Sequence, residues 1–266
     1  MTPTEKWNWR ETPFRRDVAG EALFETKGHH EAMARLNYVL EHRALGLLTG
    51  EVGSGKTTLV RQLLMGLDEM KFQPVYICIL GLKPKDFYAE LLSHMGEAMP
   101  FGLSKARKLW GERIQGQSGA TDRRWVVVID EAQDMSEEMT QELRFARNQQ
   151  MDASSPFSLL LVGQPEMRRK LRLKKYEAIS QRIEMAYHMA GMNREETGQY
   201  IRHQMKQTGT SLPVFTDGAV QMMYAASRGI PRVVNQLCTQ ALYDAAVRDS
   251  EAIDDSHVQR VLTDQE

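Results

Sequence analysis

Short apolar runs alternate along the chain with segments whose apolar residues recur every three to four positions. The first periodic segment, residues 28–42, places Ala32, Leu36 and Val39 on one face and predicts a helix. The apolar runs have the length of strands and occupy residues 44–49, 75–80, 125–129, 158–162 and 185–189. Alternating strands and helices are typical of parallel strands joined by crossovers, which predicts an α/β sheet covered on both faces.

Beyond residue 190 the pattern changes to helices only. Asn193 is followed three residues later by Glu196, the spacing of a capping box at a helix start. Pro231 is suited to the first turn of a further helix, because its missing N–H is not needed there. We therefore expect an α/β domain in residues 27–190 and a helical lid domain in residues 191–266.

The first 26 residues are polar and show no clean helical or strand period. They nevertheless carry Trp7, Trp9 and Phe14, which are large apolar side chains for such a segment. We interpret residues 1–26 as an N-terminal arm that lies over the surface of a partner.

Composition is ordinary for a globular protein, with 42% hydrophobic and 26% charged residues and a net charge of −1. The chain has no apolar run near the ~20 residues of a membrane helix and no signal-like start, so we expect a cytoplasmic protein without a membrane partner. Cys78 and Cys238 lie in apolar contexts, which favours buried free thiols over a disulfide. A near-neutral charge still permits a local basic patch.

Residues 50–57 match the P-loop pattern G-x-x-x-x-G-K-[ST] and lie between an apolar strand and a helix, the context that this motif requires. Its glycines let backbone N–H groups surround phosphate oxygens at a helix N-terminus. We expect Lys56 to contact the β- and γ-phosphates of ATP and Thr57 to ligate Mg²⁺. The predicted nucleotide-binding residues are Gly50, Glu51, Val52, Gly53, Ser54, Gly55, Lys56, Thr57 and Thr58.

A second motif, residues 125–131, is a buried strand that ends in two carboxylates, Asp130 and Glu131. Ligands of open α/β sheets bind at the carboxyl ends of the strands. We expect Asp130 to hold the hydration shell of Mg²⁺ and Glu131 to orient or deprotonate the attacking water. Either carboxylate alone could instead cap the following helix.

Three further polar residues occupy positions that suit nucleotide chemistry. Gln164 follows the fourth strand and could touch the γ-phosphate, or it could simply satisfy backbone groups in a turn. Arg182 precedes the fifth strand, where a guanidinium can stabilise a phosphoryl group held by a neighbouring subunit. Arg232 lies in the first turn of a lid helix and could fold back onto nucleotide. A surface salt bridge is the alternative for each arginine.

Six segments together resemble the ExeA/GspA-type branch of AAA+ ATPases: GEVGSGKTT, VVVIDEAQDMS, LLLVGQPEM, QRIEMAYHM, MNREETGQYIRHQMKQTG and ASRGIPRVVNQLC. The resemblance extends from Phe24 to Val261. It implies a parallel five-stranded sheet of order 5-1-4-3-2, a helical lid, and ATP bound between subunits of a ring or helical filament. It also implies sensor 1, arginine-finger and sensor 2 roles for Gln164, Arg182 and Arg232.

Secretion members of this branch continue into a membrane helix and a peptidoglycan-binding domain, whereas this chain stops after the lid. We therefore expect a stand-alone form, similar to the transposition regulators MuB, TnsC and IstB. Those proteins assemble on duplex DNA with ATP and present the target site to a DDE transposase. The resemblance thus implies double-stranded DNA, a DDE transposase, further copies of this chain and a target-selector protein as partners. Gln164 departs from the Asn or Thr that is common at sensor 1.

DNA contacts require local cations. The leading candidates are Lys83 and Lys85 after the second strand, followed by Arg144 and Arg147. The basic run 168–175 is denser, but such runs are commonly solvated faces. Two other hypotheses stay open: an ATPase of a secretion or envelope-assembly system, and a switch in which slow hydrolysis times a protein contact.

Overall fold

A parallel five-stranded sheet organises residues 29–189 in the computed structural model, which describes residues 2–15, 23–116, 123–147, 155–210 and 213–264. The strand order β2-β3-β4-β1-β5 confirms the order predicted from the resemblance. The five strands are β1 (Leu45–Gly50), β2 (Phe72–Ile77), β3 (Arg124–Ile129), β4 (Phe157–Gly163) and β5 (Ile183–Met189).

Seven helices accompany these strands along the described part of this segment. They are α2 (Lys27–Glu41), α3 (Lys56–Met65), α4 (Pro84–Ser93), α5 (Leu103–Gly116), α6 (Glu137–Ala146), α7 (Pro165–Leu171) and α8 (Glu177–Ser180). Two 3-10 turns, Ala132–Asp134 and Lys174–Tyr176, complete the connections.

Alternate residues of the central strands feed two separate cores, one on each face of the sheet. In β3, Val127 and Ile129 belong to one core, while Val126 and Val128 belong to the other. The first core is closed mainly by α4, α5, α6 and α7, and the second by α2 and α3. This arrangement explains why the central strands are continuous apolar runs, since both of their faces are buried.

The second strand differs from its prediction, because β2 covers Phe72–Ile77 instead of residues 75–80. β2 is an edge strand, and Pro74 is tolerated there because one side of the strand needs no ladder hydrogen bond. Cys78 follows the strand and is exposed, so the predicted burial of this thiol is wrong, while Cys238 is buried as predicted.

Contacts divide the chain into a sheet unit (residues 29–52 and 56–189) and a helical unit (residues 1–28, 53–55 and 190–266). The helical unit contains α1 (Pro3–Trp7), α9 (Arg194–Lys206), α10 (Asp217–Ser227), α11 (Pro231–Val247) and α12 (Asp255–Thr263). Asn193 and Glu196 form the predicted capping box, and Pro231 opens α11. Within the described ranges, no helix is both long and apolar enough to cross a membrane.

The described N-terminal residues pack within the helical unit of the same chain, whereas from the sequence we expected them to lie over a partner surface. Trp7 and Trp9 stack with ring centroids 4.8 Å apart, and the indole N–H of Trp7 donates to the carbonyl of Glu251. Trp9 and Phe14 are buried, with the ring of Phe14 edge-on to Phe215. The side chains of Trp9 and Phe14 are therefore covered by the chain itself.

We expect Trp9→Ala to destabilise the helical unit by roughly 3 kcal/mol, because truncating a buried aromatic removes its contacts and leaves a cavity. Thermal unfolding followed by circular dichroism should show a midpoint lower by roughly 10–20 °C. Tyr243→Ala is the matched control, since Tyr243 is 48% exposed in the same unit. Equal melting of the two variants would show that the N-terminal segment is not docked in solution.

Candidate active site

The loop between β1 and α3 has the backbone conformation of an anion cradle. Gly53 and Gly55 adopt φ values of +83° and +98°, which residues other than glycine rarely tolerate. Ser54 is buried, and its hydroxyl oxygen has no hydrogen-bond partner within the described structure. A buried, unsatisfied hydroxyl is costly unless a ligand completes it. The loop therefore fits a nucleotide phosphate.

Lys56 begins α3 and is buried at the end of this loop. Its ammonium Nζ donates to the carbonyl oxygens of Gly50 (2.8 Å) and Glu51 (2.9 Å). Both acceptors are neutral, and anionic phosphate oxygens form stronger, charge-assisted bonds with an ammonium group. Lys56 is thus placed to bind phosphate beside the positive end of the α3 dipole.

Asp130 lies directly after β3, and one of its carboxylate oxygens accepts hydrogen bonds from two hydroxyl groups. Its Oδ2 accepts from the Thr57 hydroxyl (3.1 Å) and from the Tyr76 phenol (2.6 Å). Burial and the adjacent Asp130 raise the pKa of Tyr76, so the phenol stays protonated and acts as the donor. The hydroxyl of Thr57 and the carboxylate of Asp130 are hard oxygen ligands of the kind that Mg²⁺ prefers, so the pair fits this ion.

Glu131 directs its carboxylate toward two amide groups. Its Oε2 accepts from the side-chain amides of Gln133 (2.7 Å) and Gln164 (3.3 Å). The backbone of Glu131 has φ +50°, the left-handed region, and its side chain does not cap the turn that follows. The capping alternative for Glu131 is therefore not what the structure shows. The carboxylate instead lies at the carboxyl edge of the sheet, beside Asp130.

The structure brings Gln164 to this cluster as well. Gln164 follows β4, and its backbone N–H donates to the Oε1 of Gln133 (3.0 Å). Its side chain makes no cap bond to α7 and reaches Glu131 instead. Four of the predicted site residues thus share one edge of the sheet: Thr57, Asp130, Glu131 and Gln164.

Arg182 lies at the other end of the strands. β1 and β5 run parallel, with Leu45 beside Ile183 at their starts and Gly50 beside Met189 at their ends. At about 3.3 Å per residue, the six residues of β1 place Arg182 nearly 20 Å from the end of the strands where the P-loop begins. The guanidinium of Arg182 donates to the carbonyl of Arg144. Arg182 is therefore not part of the cluster in its own chain.

Arg232 occupies the first turn of α11 in the helical unit. Its backbone N–H lies 3.3 Å from the carbonyl oxygen of Gly53, a residue that contacts assign to the same unit. The sensor role expected for the Arg232 guanidinium stays a prediction.

The candidate DNA contacts separate into accessible and inaccessible cations. Lys83 and Lys85 are exposed, and neither ammonium group has an anionic partner among the described residues. The guanidinium of Arg144 lies 5.0 Å over the ring of Phe145. Arg147 is only 6% exposed and donates to the Arg43 carbonyl and the Ser155 hydroxyl, so its prediction as a DNA contact is wrong.

Sequence reasoning missed Tyr76 and Gln133, although both touch the predicted carboxylates. Gly163 is the residue that indicates the position of Gln133, because a Cβ atom at residue 163 would lie only 2.8 Å from Gln133 Oε1. The glycine marks a close approach, but the sequence does not tell which side chain approaches. Tyr76 alternates with buried Val75 and Ile77 in an edge strand and resembles an ordinary surface residue.

Fold and site together define a P-loop nucleotide-binding domain with a helical C-terminal unit. A family model described as "AAA domain" matches residues 39–171, half of the chain, and the chain belongs to this family of ATPase domains.

Among curated proteins, the chain is similar to General secretion pathway protein A of Aeromonas hydrophila, with 32% identity over 254 residues. The match covers 94% of this chain and 46% of that protein, so the chain spans about half the length of this relative. This finding agrees with the secretion branch of the predicted resemblance.

Solved structures share the fold at low sequence identity. Cdc6p from Pyrobaculum aerophilum has a TM-score of 0.67 at 14% identity, covering 90% of this chain and 67% of that one. Drosophila ORC bound to DNA has a TM-score of 0.63 at 16% identity, covering 98% and 64%. At these identities the similarity supports the fold alone.

We expect Lys56→Ala to abolish ATP binding and Glu131→Gln to bind ATP while hydrolysing it roughly 100-fold more slowly, because one residue binds phosphate and the other activates water. Binding of a fluorescent ATP analogue and phosphate release measure the two effects. Glu138→Gln, an exposed glutamate on α6, is the matched control. Turnover of Glu131→Gln at the wild-type rate would remove Glu131 from the catalytic set.

Proposed function

We propose that this chain hydrolyses ATP with Mg²⁺, as an oligomer whose active sites lie between neighbouring copies. The observation that carries the proposal is the cluster of Thr57, Asp130 and Glu131 at the carboxyl edge of the sheet, beside the P-loop. Within this cluster each group has a distinct chemical task.

The P-loop amides and Lys56 would bind the phosphates, while Thr57 and Asp130 would hold Mg²⁺ and its hydration shell. Bound Mg²⁺ supplies charge neutralisation to the phosphate oxygens. Glu131 would orient a water molecule toward the γ-phosphorus and accept its proton as the bond to the ADP oxygen breaks. Gln164 would then contact the γ-phosphate or this water, and Arg232 would contact the nucleotide.

The charge that stabilises the transferring phosphoryl group is assigned to Arg182 of a neighbouring copy. Support for this assignment comes from the parallel pairing of β1 and β5. Arg182 precedes β5 and the P-loop follows β1, so the two lie at opposite ends of these paired strands. An arginine so placed can reach a γ-phosphate only across an interface. A homo-oligomer, as a ring or a helical filament, follows from this assignment.

Arg182→Ala should bind ATP normally but lose most hydrolysis; losing an arginine finger costs about 10³–10⁵-fold in GTPases, and we expect the lower end or less. Mixing Arg182→Ala with Lys56→Ala should partly restore phosphate release. Some interfaces of a mixed oligomer pair an intact P-loop with an intact Arg182, although each variant alone is inactive.

Co-assembly in this mixing experiment is verified by crosslinking of differently tagged copies. Two variants that co-assemble and still show no activity would mean that Arg182 does not act in trans. An Arg144→Ala variant is the matched control, because Arg144 is also a basic residue at this end of the sheet.

For the biological output we propose an ATPase of a secretion or envelope-assembly system, supported by the similarity to General secretion pathway protein A. The helical unit or an assembled surface would transmit the nucleotide state to a protein partner. If hydrolysis is slow, the same mechanism acts as a switch in which the lifetime of bound ATP sets the duration of the protein contact. The cytoplasm, where ATP is available, is the compartment that we propose for the activity.

A second candidate output is an ATP-dependent DNA-binding oligomer that presents target DNA to a DDE transposase, with or without a target-selector protein. The specific observation in its favour is the pair Lys83 and Lys85, exposed and without anionic partners within the described structure. The DNA-bound ORC structure shares the fold, which makes DNA worth testing. The similarity to a secretion protein favours the first output over this one.

Under the DNA hypothesis, binding of duplex DNA should require ATP, be indifferent to sequence, and weaken with salt by a log–log slope of roughly −0.9 per phosphate contacted. The double variant Lys83→Ala/Lys85→Ala should bind every sequence more weakly and show a flatter slope. Fluorescence anisotropy across a salt series measures both quantities. Arg168→Ala/Lys174→Ala, two exposed cations of the basic run, is the control.

Absence of ATP-dependent DNA binding by the wild-type chain would leave the secretion-type output as the function that the observations support. Binding that the Lys83/Lys85 variant retains in full would move the DNA contact away from the start of α4.

A further inference from the structure

Gln133 makes three contacts through one side-chain amide. Its Nε2 donates to the Oε2 of Glu131 at 2.7 Å and, at the longer distance of 3.2 Å, to the Oδ2 of Asp134. On the opposite side, its Oε1 accepts from the backbone N–H of Gln164 at 3.0 Å. A backbone N–H can only donate, so the atom that faces it must be the amide oxygen. The amide nitrogen therefore faces the carboxylate, which fixes the orientation of the whole group.

The surroundings of Gln133 hold it in this position. Gly163 leaves room for the amide oxygen, because a Cβ atom at residue 163 would lie 2.8 Å from it. On the backbone side, Lys170 of α7 donates to the carbonyls of Gln133 (3.3 Å) and Met135 (2.7 Å). The 3-10 turn that carries Gln133 is thus anchored to the helix that follows β4.

The contacts of Glu131 are correspondingly one-sided. Both amide donors, from Gln133 and Gln164, approach the same oxygen, Oε2. Within the described structure no donor is hydrogen-bonded to the other oxygen, Oε1. One carboxylate oxygen is therefore fixed by the protein, and the other is available to a water molecule. A left-handed backbone at Glu131 also requires such support, because this conformation is unfavourable for a side chain other than glycine.

We propose that Gln133 is the positioning residue of the catalytic glutamate: its amide holds Glu131 Oε2, directs Oε1 toward the attacking water, and couples this carboxylate to the β4–α7 junction. The proposal rests on the proposed role of Glu131 in ATP hydrolysis. It assigns to Gln133 no contact with nucleotide, so the amide should affect the chemical step and not ATP binding.

The first test compares two substitutions at one position. Gln133→Ala removes all three amide contacts and should lower kcat roughly 10- to 100-fold, the scale of a small misplacement of a catalytic group. The KM and the affinity for a fluorescent ATP analogue should stay within about twofold of wild type, because no contact to nucleotide is lost. Gln133→Glu keeps the length of the side chain and an oxygen for the Gln164 N–H, but it replaces the donor that faces Glu131.

Gln133→Glu should therefore lose at least as much kcat as Gln133→Ala while melting near the wild-type temperature. It also keeps the test open if Gln133→Ala fails to fold. Wild-type kcat in Gln133→Glu would show that the bond to Gln164 suffices, and it would overturn the proposal. Gln181→Ala is the matched control, since Gln181 bonds only to Glu177 on the surface in the described contacts and should leave kcat unchanged.

A double-mutant cycle separates positioning from a general structural effect. Adding Gln133→Ala to the Glu131→Gln variant should change the hydrolysis rate by less than about twofold, because there is no catalytic carboxylate left to position. Radiolabelled ATP makes the slow turnover of these variants measurable. A full additional loss would mean that Gln133 acts independently of Glu131. If Glu131→Gln itself hydrolyses ATP normally, the proposed catalytic role of Glu131 fails and this inference fails with it. If Glu131→Gln is inactive while both Gln133 variants keep wild-type kcat, this inference alone fails.

Discussion

The parallel pairing of β1, β3 and β4 is the constraint on which every functional contact of the sheet unit depends. Thr49 lies beside Gly163 and Ile129 beside Leu161, so the residues that follow these strands emerge at a common edge. The strands are buried on both faces, and their backbone groups can be satisfied only by the ladder. Because a slip of one residue would exchange the faces of a strand, burial in two cores also fixes the positions of Asp130 and Gln164.

Local patterns were enough to predict the features that are set by local chemistry. The P-loop could be located because its glycines and Lys56 must lie between a strand and a helix. The cap at Asn193 and the helix start at Pro231 follow from the hydrogen-bonding needs of helix termini, which depend on a few neighbouring residues. The strand order was available only through the resemblance, since no periodicity tells which strands are neighbours. The edge strand β2 was misplaced because half-buried strands have weaker patterns.

Features that depend on contacts between distant residues could not be predicted. Trp9 belongs to one buried cluster with residues of α9 to α12, some 200 positions along the chain, and nothing near Trp9 identifies these residues. Arg147 looks like a surface cation in the sequence, yet its guanidinium is buried and donates to the Arg43 carbonyl. The amide of Gln133 is similar, because its role depends on which strand lies beside β3. In each case residue type suggested exposure or a generic role, and tertiary packing decided otherwise.

The same parallel geometry separates the two halves of the proposed catalytic machinery. A residue that precedes β5 cannot approach the loop that follows β1 in its own chain, so on the proposed mechanism assembly and hydrolysis form one coupled equilibrium. Any partner that gathers copies of this chain would then raise the rate without touching a catalytic residue. Stimulation by DNA or by a secretion component would consequently look alike. Ionic strength distinguishes them, because only contacts to phosphates produce the counterion-release slope of a nucleic acid.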